Sequence, residues 1–570
     1  MKKRTLFACG LAAALFAGCS SDDVTVDNGN DALNGKKAYV ALNIQLPTSS
    51  NAPNSRAGDS FDKGADNEYK VTSLDVVYLD ASGSVKHVKR HDSFTWSPSP
   101  ETGVTTETIL PVQVDQIDAS VTEVLVVVNP TSAFHTTVTA ASANKTTIEA
   151  AIESTNAAAF MGASKDAFFM TNAPFLDGTR YVKVTPKETE AAAKADARTV
   201  YVERAVAKVQ LKAGTTDWTD APWTGDATKH DYTYTIPGTP TDNPLSIIGD
   251  KITLLNWSLD VTNTKTYPIR KINTVWNTSN YIKSGETVDD NRYLSTATYY
   301  GNNYYETSNA ANKTKRIYWA EDPNYSGSVA LSDFTTLSTA ADTTKIDNPF
   351  HTLTQDYCLE NTFNVTNMKQ DQTTRVLIQA RYTPHLFVNY DGSTNTSYAA
   401  GQNWYRLGNS SKPYNDATLL EIAKKVTSNN ALTLNSTAFS AGQEEFDAAM
   451  FENENPDDID LLKSTLGKVT TFVKGICYYE ARIQHFGDTP TSWNGTDDYT
   501  TGTTAMIQNY LGRYGVVRNT WYQLVINKIS AAGDPLIPAP GSTADDAKNY
   551  YLQTTVKIMD WSIRSQQVEL

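Results

Sequence analysis

Long apolar runs, cysteines and basic charge are all scarce in this sequence. After residue 18, no apolar stretch reaches the roughly 20 residues that a membrane-spanning helix needs, which excludes a bundle of membrane helices. Four cysteines in 570 residues exclude a disulfide-rich scaffold. Lys and Arg total 49 against 63 Asp and Glu, and the net charge of −14 argues against nucleic acid or anionic lipid as a partner.

Motifs for catalysis and metal binding are missing as well. The seven histidines form no His-x-His or His-Glu-x-x-His pair, and there is no Gly-rich phosphate loop. The letters GDSF at 58–61 match an esterase start, but they lie in a polar linker rather than behind a buried strand. The acidic run at 457–460 lacks EF-hand spacing and fits a helix start better than a calcium site. We therefore expect no enzyme, no metal and no cofactor, although sequence alone cannot pair two distant carboxylates.

The first 18 residues are typical of a secretory signal. A basic start (Lys2, Lys3, Arg4) precedes a short apolar run and then small residues. Ala17-Gly18-Cys19 resembles a bacterial lipobox, which implies a diacylglyceryl on the Cys19 sulfur and cleavage before it, although Phe16 stands where Leu is usual. The Ser and Asp residues that follow resemble the surface-export signal of Bacteroidales lipoproteins. The alternative is an ordinary secretory signal whose cysteine happens to lie near the cut.

A well-patterned strand precedes a single exposed arginine. From Ala38 to Pro47 apolar residues alternate with other residues, which predicts a strand with one buried face. The apolar positions of this face are Val40, Leu42, Ile44 and Leu46. Residues 48–64 are rich in Ser, Asn, Pro, Gly and Asp and read as a solvated linker. Arg56 is the only Lys or Arg between positions 37 and 63, which makes it the accessible basic site of the linker.

The rest of the chain predicts an all-β protein with few helices. Short Val-, Thr- and Tyr-rich runs alternate with turn residues, which favours β-sandwiches. The strand-like run at 197–214 closes a predicted first domain at 57–214, and a second domain is expected at 215–538. The letters DATLLEIAKKV predict a helix from residue 416. Cys358 and Cys477 lie in strand-like runs, and a bridge between them stays open at this point.

The chain closes with a Pro-, Gly- and Ser-containing linker and an apolar tail, together residues 539–570. In the tail Leu552, Thr554, Val556 and Ile558 share one face, whereas Met559, Trp561 and Ile563 have the opposite parity. Val568 and Leu570 follow near the end of the sequence. The change of parity near Asp560 predicts a bulge or two short strands.

Several stretches, in order along nearly the whole chain, resemble the fimbrillins of Bacteroidales, which are the subunits of type V pili. The nearest resemblance is to the minor-fimbrium subunit family. The stretches are SRAGDS, VYVERAVAKVQL, NWSLDVTNTKTYPIRKI, YWAEDPNYSG, YCLENTFN, TTRVLIQARYTP, YYEARIQ, VVRNTWYQLVINKI and VKIMDWSIRSQQVEL. Each is weak alone, and the ordered set carries the resemblance.

The resemblance implies a fold, a processing route and partners. The fold would be two transthyretin-like β-sandwich domains, a few short helices and a C-terminal extended donor segment. A lipoprotein precursor would be cut after Arg56 by a trypsin-like or arginine-specific surface protease, leaving Ala57 as the new terminus. The segment 19–56, with the strand of Val40, Leu42, Ile44 and Leu46, would leave.

The vacated groove would then accept the tail of another copy. Candidate donor residues are Val556, Ile558, Trp561, Ile563, Val568 and Leu570. Partners would be other copies of the chain in a head-to-tail polymer and accessory anchor and tip subunits. Because both a removable strand and a donor tail are present, the expectation is a stalk subunit that supports adhesion.

A second hypothesis stays open at the level of the sequence. Stretches rich in Tyr, Asn and Ser, such as 292–309, suit contact with sugar or protein, and they also suit plain packing in long loops. The alternative function is therefore a monomeric, glycan-binding β-sandwich lipoprotein at the cell surface.

Overall fold

The structure is a computed structural model, and it describes most of the chain in separate ranges. The described residues are 23–24, 37–46, 64–92, 107–173, 180–223, 226–238, 247–271, 293–294, 316–317, 319–337, 340–352, 354–395, 401–485, 511–545 and 552–560. Strands dominate them, so the prediction of a mostly β protein is confirmed. None of the helices in these ranges is long and apolar enough to cross a membrane.

The chain up to Ala213 contains eleven of the described strands and four short α-helices. The strands are β1 (Asp23–Val24), β2 (Lys37–Leu46), β3 (Leu74–Asp80), β4 (Val85–His91), β5 (Glu107–Asp118), β6 (Val121–Val128), β7 (Glu153–Ser154), β8 (Met170–Asn172), β9 (Val182–Lys183), β10 (Arg198–Arg204) and β11 (Val206–Ala213). The helices are α1 (Asp66–Tyr69), α2 (Ser132–Thr139), α3 (Lys145–Glu149) and α4 (Glu190–Ala195).

The first core lies between two layers that share one strand. Hydrogen bonding joins the first sheet in the order β1-β4-β3-β6-β8-β10-β2-β5. β10 changes partner midway, because Arg198–Tyr201 pairs with β2 and Val202–Arg204 pairs with β8. The segment β10-β2-β5 therefore forms a three-stranded layer with β2 in its middle. Apolar residues of β2, β3 and β6 meet in a single buried cluster.

The remaining described strands and two further helices follow Ala213. The strands are β12 (Trp218–Trp223), β13 (Asp226–Thr235), β14 (Lys251–Asp260), β15 (Thr262–Asn263), β16 (Lys265–Thr266), β17 (Tyr293–Leu294), β18 (Arg316–Ile317), β19 (Phe334–Thr335), β20 (Asn348–Pro349), β21 (Gln355–Leu359), β22 (Arg375–Thr383), β23 (Phe387–Val388), β24 (Thr394–Asn395), β25 (Trp404–Leu407), β26 (Thr433–Leu434), β27 (Phe451–Glu452), β28 (Val469–Phe472), β29 (Ile476–Arg482), β30 (Thr520–Ile529) and β31 (Leu552–Asp560). The helices are α5 (Asp416–Thr427) and α6 (Asp458–Leu466).

Two sheets enclose the second core. One has the order β21-β11-β30-β31 and the other the order β12-β13-β14-β22-β29. Leu211 of β11, Leu524 of β30, Trp257 of β14 and Ile378 of β22 belong to one buried cluster. Apolar side chains of two sheets that meet in this way form a β-sandwich.

The chain passes from the first sheet to the second at Ala205. The run from Arg198 to Ala213 reads as one strand in the sequence, but its first part pairs with β2 and β8 whereas β11 pairs with β21 and β30. The change of sheet thus comes nine residues before Gly214, where the sequence analysis ended the first domain. The division into domains stays a prediction, because the two sheets also exchange contacts at this junction.

Residues 401–472 form a small module with its own apolar core. They lie between β22 and β29, which are neighbours in the same sheet. The core includes Leu419 and Ile422 of the predicted helix, which is confirmed as α5. Trp404 and Phe472, paired across β25 and β28, stack with ring centroids 3.8 Å apart and pack in the second core instead. This pair ties the module to the sandwich.

Cys358 and Cys477 are free thiols. Both are buried in the second core. Burial raises the pKa of the Cys477 thiol to about 11 and raises that of Cys358 further. The bridge that the sequence left open is therefore not formed, and both groups are expected to be poorly reactive.

Candidate functional site

Several predicted site residues lie outside the described part of the chain. They are Cys19, Arg56, Ala57, Trp561, Ile563, Val568 and Leu570. Their roles in lipidation, processing and strand donation stay predictions. The structure does describe the strand that was predicted to be removable and the first half of the predicted donor segment. Together these two elements define the candidate site.

β2 buries the apolar face that its alternation predicts. Val40 is 3 % exposed, and Leu42 and Ile44 are 0 % exposed. All three belong to the first core. For Leu46 the structure gives only the backbone, which pairs with Glu107. The strand and its buried face are as predicted, whereas its removal stays a prediction.

β2 is paired on both of its edges. One edge runs antiparallel to β5, from Lys37 opposite Asp118 to Leu46 opposite Glu107. The other edge is parallel to β10 from Leu42 to Gln45, and the backbone of Tyr39 exchanges two hydrogen bonds, of 2.7 and 2.9 Å, with Lys187. If β2 left, β5 and β10 would both have unpaired backbone groups, with an open slot between them.

The ladder between β2 and β5 is interrupted near its centre. Leu42 faces Gln113, and the next pair is Ile44 with Leu110, so the register shifts at Asn43. Pro111 lies in the shifted segment of β5. Because proline has no backbone N–H, it cannot donate to the neighbouring strand and is typically found at such bulges.

A polar cluster lies beside β2, next to Val40. Asp115 of β5 is opposite Val40 and is 6 % exposed. The Tyr78 hydroxyl donates to Asp115 Oδ2 at 2.6 Å, and His91 Nε2 lies 3.0 Å from Asp115 Oδ1. At the end of β5, the backbone N–H of Asp118 donates to His87 Nε2 at 3.1 Å. These contacts join β5 to β3 and β4.

The contacts with Asp115 bear on the pKa of Tyr78 and that of His91. Burial, followed by the charge of Asp115, raises the pKa of Tyr78 well above its ordinary value. Burial would lower the pKa of His91, but the contact with Asp115 outweighs it and the pKa is raised. Sequence reasoning missed this cluster. Its one sequence signal is a charged residue inside the apolar strand pattern of β5.

The first described element after the predicted cut is anchored between the two sheets. Glu68 of α1 is fully buried, with Lys208 Nζ of β11 at 2.8 Å. The Tyr357 hydroxyl of β21 also donates to Glu68. Burial, followed by the Glu68 charge, raises the pKa of Tyr357. The chain downstream of Arg56 is therefore held by contacts that do not involve β2.

A buried ion network joins the first sheet to the second half. Arg270 contacts Glu203 of β10 at 3.2 Å and Glu360 at 3.3 Å, and all three side chains are almost fully buried. Arg518 also contacts Glu360, at 3.3 Å. Ile269, beside Arg270, packs in the first core although it follows β16 in the sequence. Like the contacts of Glu68, these bonds do not depend on β2.

The first half of the predicted donor segment is part of its own sheet. β31 is the edge strand beside β30, with Val556 opposite Leu524 and Ile558 opposite Tyr522. A donor role for Val556 and Ile558 would therefore require β31 to leave β30. Asp560, where the alternation changes parity, is opposite Thr520 and is the last residue of the strand.

The described residues contain no group of three or more His, Cys, Asp or Glu side chains arranged to hold a metal ion. The acidic run that was weighed as a calcium site begins α6, with Asp457 at the N-cap. Asp458 is buried and accepts hydrogen bonds from Asn429 and from the backbone of Asn455. Its contacts are those of a helix start.

Three solved structures resemble the chain over most of its length at low identity. A candidate cell adhesion protein from Parabacteroides distasonis is 13 % identical, with 94 % of this chain and 99 % of that one covered and a TM-score of 0.38. One from Bacteroides eggerthii is 10 % identical, with 94 % and 98 % covered and a TM-score of 0.35. The tip fimbrial protein Mfa3 from Porphyromonas gingivalis, with a C-terminal truncation, is 11 % identical, with 92 % and 100 % covered and a TM-score of 0.31.

No curated protein matches the chain. A family model does match its C-terminal part. Residues 470–567 match the family described as major fimbrial subunit protein type IV, fimbrillin, C-terminal. This range contains β29, β30 and β31, two of the stretches on which the sequence resemblance rests and most of a third. From residue 470 to residue 567, therefore, the chain resembles the C-terminal part of fimbrillins.

Proposed function

We propose that the chain is a structural stalk subunit of a surface fimbrium, without a catalytic role, and that it polymerises by strand exchange. The observation that carries the proposal is the position of β2. A segment upstream of the predicted cut supplies the middle strand of a three-stranded layer and buries Val40, Leu42 and Ile44 in the first core. The fimbrillin match at 470–567 supports a fimbrial role.

The precursor reaches the outer surface as a lipoprotein that is acylated on Cys19. A trypsin-like or arginine-specific protease then cuts after Arg56, and Ala57 becomes the new terminus. Before the cut, the linker keeps β2 at a high effective concentration beside its slot, because the chain on the other side is anchored at Glu68. After the cut, the binding of β2 becomes bimolecular, and a competing strand can replace it.

An empty slot is unfavourable in free energy. Each buried apolar side chain of β2 contributes roughly 1.5–3 kcal/mol of transfer free energy, and the edges of β5 and β10 lose backbone partners. An extended segment from another chain satisfies both requirements by strand addition. Since β31 is already paired with β30, we assign the donor role to the residues after Asp560, with Trp561, Ile563, Val568 and Leu570 as its apolar side chains.

One slot and one donor segment per chain make a head-to-tail contact. Such a contact uses two different surfaces and propagates into a filament rather than closing as a dimer. The partners are other copies of the chain along the stalk and accessory anchor and tip subunits at its ends. The lipid-bearing segment 19–56 leaves with the cut, so the polymerised subunit contacts the membrane only through its neighbours.

Limited trypsin digestion tests this proposal. A low dose of trypsin on the purified precursor should remove the segment through Arg56 and produce an SDS-resistant ladder on a gel that is run without boiling. Arg56→Ala should leave the precursor monomeric when an arginine-specific protease is used, because no other arginine lies between positions 4 and 90. A wild-type sample that is cut at Arg56 and stays monomeric would contradict the proposal.

Arg56→Lys is the matched control. Trypsin cuts after lysine as well as arginine, so this variant should form the ladder with trypsin and fail to form it with an arginine-specific protease. A ladder from Arg56→Ala under the arginine-specific protease would show that processing at this position does not control assembly.

A further inference from the structure

Two strands border the slot, and β5 depends more strongly than β10 on β2 for its backbone pairing. Among the described residues, the backbone ladder of β5 runs to β2 alone. β10, on the other side of the slot, also pairs with β8 and stays attached to the sheet when β2 is absent. Loss of β2 therefore leaves β5 without a strand partner, and only its turn to β6 and contacts that involve side chains can keep it in place.

Those contacts centre on Asp115. Its carboxylate receives the Tyr78 hydroxyl at 2.6 Å and lies 3.0 Å from His91 Nε2. Tyr78 is fully buried on β3, the strand between β4 and β6. Because β3 keeps both of these partners when β2 leaves, the Tyr78 hydroxyl stays in place. The bond from the Asp118 N–H to His87 Nε2 adds a second point of attachment, to β4.

We propose that Asp115 is a positioning residue that holds β5 against β3 and β4 while the slot is empty, so that an incoming strand meets a preformed groove. This inference rests on the proposed function, since it concerns the state after β2 has left. An unattached β5 would leave the incoming strand with β10 as its only edge. Asp115 acts through the position of β5.

The proposal separates two states of the same protein. In the uncut precursor, β5 is held by the β2 ladder and by Asp115 together, so removing the carboxylate should leave β5 in place. In the cut protein, with β2 exchanging, β5 is held by the Asp115 contacts together with the weaker attachments at its end, the Asp118–His87 bond and the turn to β6. A purely structural role in the first core would weaken both states equally.

Peptide uptake measures this difference. The probe is a fluorescently labelled synthetic peptide of residues 37–46, added in excess to the full-length precursor before and after the cut at Arg56. Uncut protein should take up no peptide, and cut wild-type protein should bind it. Asp115→Asn should reduce the uptake by the cut protein at least tenfold. Tyr78→Phe, which removes one of the two bonds to Asp115, should reduce the uptake by a smaller factor.

Asp75→Asn is the matched control. Asp75 is a buried carboxylate of β3 that contacts Arg90 at 2.9 Å and His135 at 2.7 Å, and it forms no hydrogen bond or ion pair with the described side chains of β5. Its substitution should leave the uptake at the wild-type level. Hydrogen exchange at the amides of residues 107–118 provides a second readout, with protection in uncut Asp115→Asn and loss of protection after the cut.

Equal uptake by Asp115→Asn and wild type, or loss of β5 protection in the uncut variant, would overturn the proposal. So would cut wild-type protein that takes up no peptide. Peptide uptake by cut protein that forms no SDS-resistant ladder in a parallel digest without peptide would contradict the donor role of the tail and leave the role of Asp115 standing.

Discussion

Replacing Leu42 by Ala should lower the free energy of unfolding of the uncut precursor by about 2–5 kcal/mol and leave the assembled fibre unchanged. Leu42 is fully buried in the first core, and truncating a buried leucine to alanine costs that amount through lost transfer free energy and the cavity left behind. In the fibre the strand that carries Leu42 has been replaced, so the substitution is no longer present. Urea denaturation of the precursor and thermal dissociation of fibres measure the two effects.

Leu125→Ala is the control for this prediction. Leu125 lies on β6 and is as deeply buried in the same core, but it belongs to the part of the chain that is retained after the cut. Its substitution should destabilise the precursor and the fibre alike. A fibre of Leu42→Ala that dissociates as readily as one of Leu125→Ala would show that β2 stays in the polymer.

Arg270→Ala should lower the free energy of unfolding by about 3–5 kcal/mol in both the precursor and the cut protein. The guanidinium pairs with Glu203 of the first sheet and with Glu360 of the second half, all in buried surroundings. Removing one partner of a buried ion pair is strongly destabilising, because the remaining charge keeps its desolvation cost and loses its compensation. Chemical denaturation of both forms is the measurement.

The neighbouring residue provides the comparison. Lys271 forms an ion pair with Glu321 at 2.7 Å, but both side chains are more than one-third exposed. An exposed pair contributes about 0–1 kcal/mol, so Lys271→Ala should be close to neutral. Similar losses for the two variants would mean that burial of the Arg270 network does not matter for joining the two halves.

The sequence predicted those parts of the fold that depend on local pattern. Period-two alternation identified β2 and the side chains that it buries, because a strand presents alternate residues to one face. Helical spacing identified α5, and the acidic run at 457–460 was interpreted as a helix start, which is α6. The region of the candidate site was found in the same way, from a patterned strand followed by a single linker arginine.

The sequence did not predict which strands pair with each other or which distant charged side chains meet. Alternation gives the face of a strand and not its neighbour, so the change of sheet at Ala205 and the pairing of β31 with β30 were not visible. The role of Arg270 depends on Glu203 and Glu360, which are distant in the chain and meet only in the fold. The role of Asp115 likewise depends on its contacts with Tyr78 and His91, which lie on other strands.

The pairing of β31 with β30 restricts which part of the tail could act as the donor. Since β31 completes its own sheet, the donor segment would extend from an edge strand that is already fixed to the body of the subunit. The short stretch of chain after Asp560 would then connect the sheet of β31 in one subunit to the slot beside β5 in the next subunit. Substitutions in the residues after Asp560 should therefore affect assembly while leaving the stability of the monomer unchanged.

The most direct test is the N-terminal sequence and mass of the polymerised protein recovered from the surface of the cells that make it. A chain that begins at Ala57 and lacks the strand of Val40, Leu42 and Ile44 is the predicted result. A polymer whose subunits begin at an acylated Cys19, with that strand still in its slot, would contradict the account.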